Sequence, residues 1–266
     1  MYMDQMLNKD WEVPTFKTNE FKPRKNRYCI CIPIINEGEK FKKQLKKMSY
    51  LSEIIDIIIC DGGSTDSSTD ENFLKENAVT ALLIKTGSGK LSAQLRMGYV
   101  YALNKGYEGI ITVDGNGKDD ISTIPDFIKS LDEGFDFIQG SRFIPGGKAI
   151  NTPPSRLLAI KIIHAPFISL LSGFRYTDTT NGYRAYSRKL LLDEKVAPFR
   201  KIFDTYELLA YLSVKAPRLG FRVIEIPVTR EYPKNIKIPT KISPIRGNLK
   251  LIEILIGLLF GKYNPQ

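Results

Sequence analysis

Histidine and cysteine are both scarce in this 266-residue chain, which has one of the former and three of the latter. A lone His164 leaves no histidine-rich metal centre, so any bound cation must be held by carboxylates and other oxygens. Three cysteines are too few for a disulfide framework and read as reduced thiols of a cytosolic protein. Cys29 and Cys31 alternate with Ile30 and Ile32, and Cys60 closes the run Ile57-Ile58-Ile59. Those are positions of buried strands rather than metal-ligand spacing. Long apolar runs are lacking as well. No stretch reaches the ~20 uninterrupted apolar residues of a membrane span. Lys161, His164 and Pro166 break 157–174, and Lys250 and Glu253 interrupt 249–260. Residues 1–26 carry no apolar core of a secretory signal. They read as an extension that drapes over the domain or is partly disordered. Internal repeats and low-complexity tracts are missing too.

What remains is an ordinary globular mixture, able to bury a substantial core, with a formal net charge of +10. That charge suits an anionic partner. The basic residues are dispersed, however, and no nucleic-acid module is present, which argues against a reader of DNA or RNA.

Apolar periodicity predicts strands over 28–35, 54–60, 79–84, 109–113 and 135–139. Between them it predicts helices over 39–51, 91–104 and 124–131. This alternation implies an α/β domain with a mostly parallel, Rossmann-like central sheet and helices on both faces. In such sheets ligands bind beyond the carboxyl ends of the strands, where Asp61 and Asp114 both fall. After residue 140 the rhythm changes. A long apolar helix is expected over 155–172, a second over 206–216, then a strand over 221–229. A basic, Pro-rich loop over 230–246 leads to a C-terminal helix. The two halves read as one continuous domain, the first binding a nucleotide and the second shaping an acceptor site.

Cys60-Asp61-Gly62-Gly63-Ser64-Thr65-Asp66 supports two readings. Asp61 can accept from a base N–H where glycines let the backbone approach a ligand, or the segment is a turn with Asp66 as a helix cap. Asp114-Gly115-Asn116 places a carboxylate and an amide two residues apart, a spacing that can hold one hard cation against a diphosphate. Gly87-Ser88-Gly89-Lys90 is not a P-loop, because Ile84 and Leu91 stand where Gly and Ser or Thr are needed. The helix start at Lys90 can still offer N–H groups to an anion. Arg142, Arg156, Arg175 and Arg184 are candidates for phosphate recognition through their fork geometry.

Taken in order, these segments resemble the inverting family 2 glycosyltransferases, which have the GT-A fold. Cys31-Ile32-Pro33-Ile34-Ile35-Asn36-Glu37 looks like that family's first strand and turn. Asp61-Gly62-Gly63-Ser64-Thr65-Asp66 is similar to its second-strand motif, and Asp114-Gly115-Asn116 occupies its Asp-x-Asp position. The likeness leans toward the dolichyl- and polyprenyl-phosphate mannose synthase branch. It does so through Gly140-Ser141-Arg142-Phe143, Asn181-Gly182-Tyr183-Arg184-Ala185-Tyr186, and the segment 218–229. The resemblance covers about residues 28–241.

It implies an extension at 1–26, a GT-A domain over 27–245 with a nucleotide-binding half (27–140) and an acceptor half (141–245), and a C-terminal amphipathic or apolar helix at 246–266. Pro33, Glu37 and Asp61 would hold the nucleoside. Asp114 and Asn116 would face a Mg2+ or Mn2+ ion and the diphosphate. Arg142 and Arg156 would meet the acceptor phosphate, and Arg230 and Lys241 would close over the donor. The sequence departs from the family at Gly62, where a second acid is usual, at Asn116, where the metal motif has its second Asp, and at Lys118. Loss of a charge weakens a divalent site, so Lys118 is expected to stand in part for the cation, leaving a metal that assists without being strictly required.

The implied reaction moves a sugar from a nucleotide-sugar donor to a polyprenyl-type lipid phosphate, which is already ionised and needs no general base. A saccharide acceptor in surface polysaccharide assembly would need one, and Asp178 or Asp204 would be the candidate. A nucleotide-binding but catalytically degenerate module is the alternative of another class. Location is expected to be cytoplasmic, with peripheral contact to an anionic membrane. On a helix continuing through Pro166, Lys161, His164, Ser172 and Arg175 fall in an arc of about 80° beside an apolar face.

Overall fold

The computed structural model describes residues 10–233 and 244–265. Tyr28–Ile34 (β2) and Asp56–Asp61 (β3) are buried along their whole length. Such unbroken apolar runs belong to strands covered on both faces. They pair in parallel, β2 also pairs in parallel with Gly109–Thr112 (β5), and β3 with Val79–Lys85 (β4). Phe16–Glu20 (β1) adds an antiparallel edge to β4. The sequence reading assigned no strand to this extension; it becomes one by pairing with Ala81 to Lys85, not by any pattern of its own.

Beyond β5 comes Arg184–Ser187 (β8), antiparallel both to β5 and to Phe137–Ser141 (β6). Val223–Pro227 (β9) runs parallel to β6 and completes an eight-stranded sheet of order β1-β4-β3-β2-β5-β8-β6-β9. Consecutive strands lie to one side of β2 and β5 lies to the other, so the connections diverge at the β2/β5 seam. That divergence is where α/β sheets open a crevice. Lys148–Ile150 (β7) and Thr229–Glu231 (β10) form a separate two-stranded parallel sheet.

Strand alternation divides the core in two. Cys29, Cys31 and Cys60 are fully buried on one face, as the sequence led us to expect. They lie under Leu91–Asn104 (α3), in a layer that also holds Glu207–Arg218 (α8). Ile30, Ile32, Ile57 and Ile59 face the other layer, built by Gly38–Met48 (α1) and Ile124–Asp132 (α4). α1 follows from Phe41, Leu45 and Met48 at helical spacing, with its lysines on the opposite face. Close approach of α3 depends on Gly98, where a Cβ would sit 2.5 Å from the Cys60 Sγ. Glu71–Glu76 (α2) links β3 to β4, and Arg188–Leu192 (α7) follows β8.

The long apolar helix runs continuously from Pro154 to Ser172. It comprises Pro154–Leu158 (α5), a π-helical stretch Ala159–His164, and Ala165–Ser172 (α6). Contrary to the sequence reading, it is long and apolar enough to cross a membrane by length and composition. Pro166 does not interrupt it, because the widened turn before it relieves the proline's missing donor. Ile160, Ala165, Ile168 and Leu171 are buried along it, and its α6 part packs on α8, with Ile168 and Leu171 in the same core. Pro244–Leu259 (α9) packs on α6 and α8.

Candidate active site

The first wall of the crevice is the turn after β2, whose main chain Asn36 carries through φ 49°. Asparagine tolerates this left-handed position better than most residues. Asn36 Oδ1 then accepts from Thr65 N at 2.8 Å, and Asn36 N donates to Ser64 Oγ at 2.9 Å, which ties the first turn to the second. Glu37 stands just before α1, and Pro33 is buried near the end of β2.

Asp61 stands at the end of β3 but is 1 % exposed. Its carboxylate accepts from Gly63 N, Ser64 N and Ser64 Oγ at 2.5–3.1 Å. It therefore organises its own turn, and the main chain of that turn lines the crevice. At Gly62 a Cβ would lie 3.3 Å from Ile34 O, Ile35 Cβ and Gln94 Oε1, so an acid there would have to push its neighbours aside. Gln94, which sequence reasoning passed over, pins the two strand ends together by donating from Nε2 to the carbonyls of Ile34 and Cys60.

The floor is the segment after β5. Gln44 from α1 holds it, donating to Asp114 O at 3.0 Å and accepting from Gly117 N at 2.7 Å. Gly182 lies against the Asp114 carboxylate so closely that a Cβ would come within 2.8 Å of Oδ1. Arg230, on β10, reaches this floor because its backbone bridges Asp119. Its Nη2 donates to Asp114 Oδ2 at 2.9 Å, and its Nη1 pairs with Asp119 Oδ2. Burial opposes the guanidinium charge, but Asp119 and Asp114 outweigh it and push its pKa above the ordinary arginine value.

Two residues on, Tyr232 is buried beneath three cations. Arg156 Nη1 donates to its hydroxyl at 2.7 Å. Lys118 Nζ lies 5.1 Å from the ring centre, and the guanidinium carbons of Arg156 and Arg230 lie at 5.6 and 5.9 Å. All three fall within cation–π range. Burial alone would raise the tyrosine's pKa, yet Arg230 and Arg156 lower it. For Lys118, burial and then Arg230 lower the pKa of the ammonium.

Asp114 and Asn116 do not, as arranged here, fit a divalent cation. Asp114 Oδ2 already accepts from Arg230 and from Asn116 Nδ2, and Asn116 Oδ1 accepts from Lys118 N. Among the described residues no three His, Cys, Asp or Glu side chains come together as a metal set. Positive charge at this spot comes from arginine and lysine.

The acceptor half corrects several sequence expectations. Arg142 and Asp178, read separately as phosphate ligand and general base, are each other's partner. Arg142 Nε and Nη2 grip the carboxylate at 2.6 and 2.9 Å, and the side chains are 1 % and 0 % exposed. With Arg142 N, Thr180 N and Thr180 Oγ1 also donating to it, Asp178 has no free face for a substrate hydroxyl. Arg184 is a structural pin, donating to the carbonyls of Thr179, Asn181 and Leu209. The helix start at Lys90 is not an open anion site. Ser92 N donates to Thr205 O at 2.7 Å and Ala93 N to Asp204 O at 3.4 Å, so the 203–205 segment satisfies those groups. Lys90 itself points to solvent, and Asp204 serves that junction. Arg175 is exposed. Lys241 lies outside the described residues.

No family model matches the chain. Polyprenol monophosphomannose synthase of Mycolicibacterium smegmatis is 29% identical over 206 residues, covering 76% of this chain and 77% of that one. Undecaprenyl-phosphate mannosyltransferase of Micrococcus luteus is 28% identical over 211 residues, 76% and 83% of the two chains. Glycosyltransferase AglJ of Haloferax volcanii is 26% identical over 87% of this chain and 72% of its own. Among solved structures, glucosyl-3-phosphoglycerate synthase from Mycobacterium tuberculosis, crystallised with Mn2+, UDP and phosphoglyceric acid, superposes with a TM-score of 0.63. That match covers 90% of this chain and 79% of that one at 15% identity, a likeness of fold. In sequence the chain is thus similar to polyprenyl-phosphate sugar transferases of glycosyltransferase family 2, and its fold is that of the GT-A glycosyltransferases.

Proposed function

We propose that the protein transfers a sugar from a nucleotide-sugar donor to a polyprenyl-type lipid phosphate, with inversion at the anomeric carbon. The nucleoside diphosphate occupies the crevice beyond β2, β3 and β5. The acceptor phosphate oxygen bonds to C1 of the sugar as the C1–O bond to the diphosphate breaks, and the electron pair leaves with the diphosphate. Lys118, Arg156 and Arg230 oppose the charge that develops there.

The observation that carries this reading is the state of the carboxylates. Asp61, Asp114, Asp119 and Asp178 each already accept from protein donors. A sugar hydroxyl needs a base to take its proton; a lipid phosphate arrives ionised. The names of the relatives, which describe transfer to polyprenol and undecaprenyl phosphate, point the same way.

Contact with a membrane surface completes the proposal. Leu158, Ile162, Ile163 and Leu170 on the long helix are exposed, as are Leu249, Ile252, Ile256, Leu259 and Phe260 on and after α9. The α9 residues recur at helical spacing and form one apolar stripe. Arg156, at the other end of the long helix, touches the site. A chain resting on the bilayer by this face would therefore bring its cationic crevice near the lipid headgroups.

The test is transfer of labelled sugar from a panel of UDP- and GDP-sugars to undecaprenyl phosphate and, in parallel, to the unphosphorylated polyprenol. Product from the phosphate alone is expected. Equal transfer to the alcohol, or transfer only to a soluble saccharide, would overturn the acceptor.

A further inference from the structure

We infer that Lys118, braced with Arg156 and Arg230 around Tyr232, supplies the positive charge at the donor diphosphate, so that nucleotide binding by this protein does not depend on a divalent ion. The inference rests on the donor reading above and names what neutralises the donor.

The geometry is a built cation cluster. Three formal charges face a single buried aromatic ring, whose hydroxyl is the anchor for Arg156. Arg230 is balanced by Asp114 and Asp119. Among the described residues Lys118 has no ion-pair partner, although it is half-buried. A cluster with this surplus charge is complete only when an anion joins it.

Lys118 is also tied to its position. Its N–H donates to Asn116 Oδ1, and its carbonyl accepts from Glu231 N at 2.8 Å, so β10, which carries Arg230 and leads directly into Tyr232, fixes it. The side chain at 116 is a neutral amide without the charge a divalent ion would want, and the side chain at 118 is a cation. Both features, on one turn, favour an ammonium over a metal. An ammonium supplies one charge and three donors to phosphate oxygens, without the geometric demands of Mg2+.

Calorimetric titration of UDP, GDP, CDP and ADP, each in EDTA and in Mn2+, tests this in the full chain. Wild type is expected to bind its nucleotide with affinities that agree to about twofold in the two media. K118Q should lose about tenfold or more in EDTA, the size of a lost charge-assisted contact, while K118R retains most of the affinity. N116D/K118Q should recover binding only with Mn2+, and its bound Mn2+ should be visible by electron paramagnetic resonance. Y232F should weaken binding less than K118Q does, since it removes one anchor and no charge. Circular dichroism confirms that each variant is folded. A wild type that gains tenfold or more from Mn2+, or a folded K118Q that matches it in EDTA, overturns the cation assignment and leaves the donor reading standing. Binding of none of the four nucleotides by wild type overturns the donor reading and this inference with it.

Discussion

Removing the Asp178 carboxylate should damage the fold before it damages chemistry. Five donor contacts converge on that group, three from Arg142 and two from Thr180. The arginine side chain is 1 % exposed, so Asp178→Ala would leave a guanidinium charge in the interior with no counter-ion. Breaking one partner out of such a pair costs about 3–5 kcal/mol. At roughly 2–4 °C per kcal/mol for a chain of this size, the melting temperature should fall by about 10 °C. Replacing both partners, as Arg142→Met with Asp178→Leu, should recover at least about half of the loss, because the unpaired charge goes with them. Urea denaturation of the two single variants and the double variant gives the coupling energy directly. Asp178→Asn keeps the volume but turns a donor toward the guanidinium, and it too should lose stability. An Asp178→Ala protein within about 1 kcal/mol of wild type would refute the ion-pair account. An Asp178→Asn protein of unchanged stability and abolished transfer would restore Asp178 as a base.

Three other outcomes are expected. Gly98→Val should destabilise the protein by about 1–3 kcal/mol through overpacking, since even a Cβ at 98 meets the Cys60 sulfur; a neutral result in urea titration would mean that α3 can lift. Burial lowers the His164 pKa below its ordinary 6.5, so the unfolded chain binds that proton more readily. Its contribution to stability is complete above about pH 6.5 and declines as pH falls through and below that value. His164→Gln should therefore narrow the difference between melting temperatures at about pH 7.5 and pH 5.5; an unchanged difference refutes it. Leu170→Glu, at an 81 % exposed position, should leave stability unaltered and reduce co-flotation with phosphatidylglycerol vesicles by several-fold, about what a charge in an interfacial apolar face costs. Undiminished flotation would remove the long helix from the proposed membrane face.

Much of the first half was legible because its signals are local. Apolar runs bounded by Gly, Ser and Asp gave β2 to β6, and α3 was read from Leu91 to Asn104 as found. Asp61 and Asp114 were placed at strand ends by the same pattern. What escaped was made by partners distant in sequence. β1 and β8 are short, and each is a strand only because a neighbour accepts its hydrogen bonds. The pairing of Arg142 with Asp178 spans 36 positions, and nothing near either residue announces it. Tyr232 had no motif, since its importance comes from Lys118 and Arg156, carried by other segments. Its one available signal was its place two residues after Arg230, in a segment read as a loop.

The π-helical turn at Ala159–His164 lets one rod keep two appointments. In an uninterrupted α-helix the direction of every side chain follows from the first, at about 100° per residue. Hydrogen bonds of the i→i+5 kind absorb an extra residue and break that bookkeeping. Arg156 can thus stay aimed at Tyr232 while Ile168 and Leu171 stay seated on the core and Leu170 stays outside. Deleting one residue from 159–164 would restore a regular helix and force a choice between the two ends. The lineage of this chain could, by the same token, retune the outward face without touching the inward one.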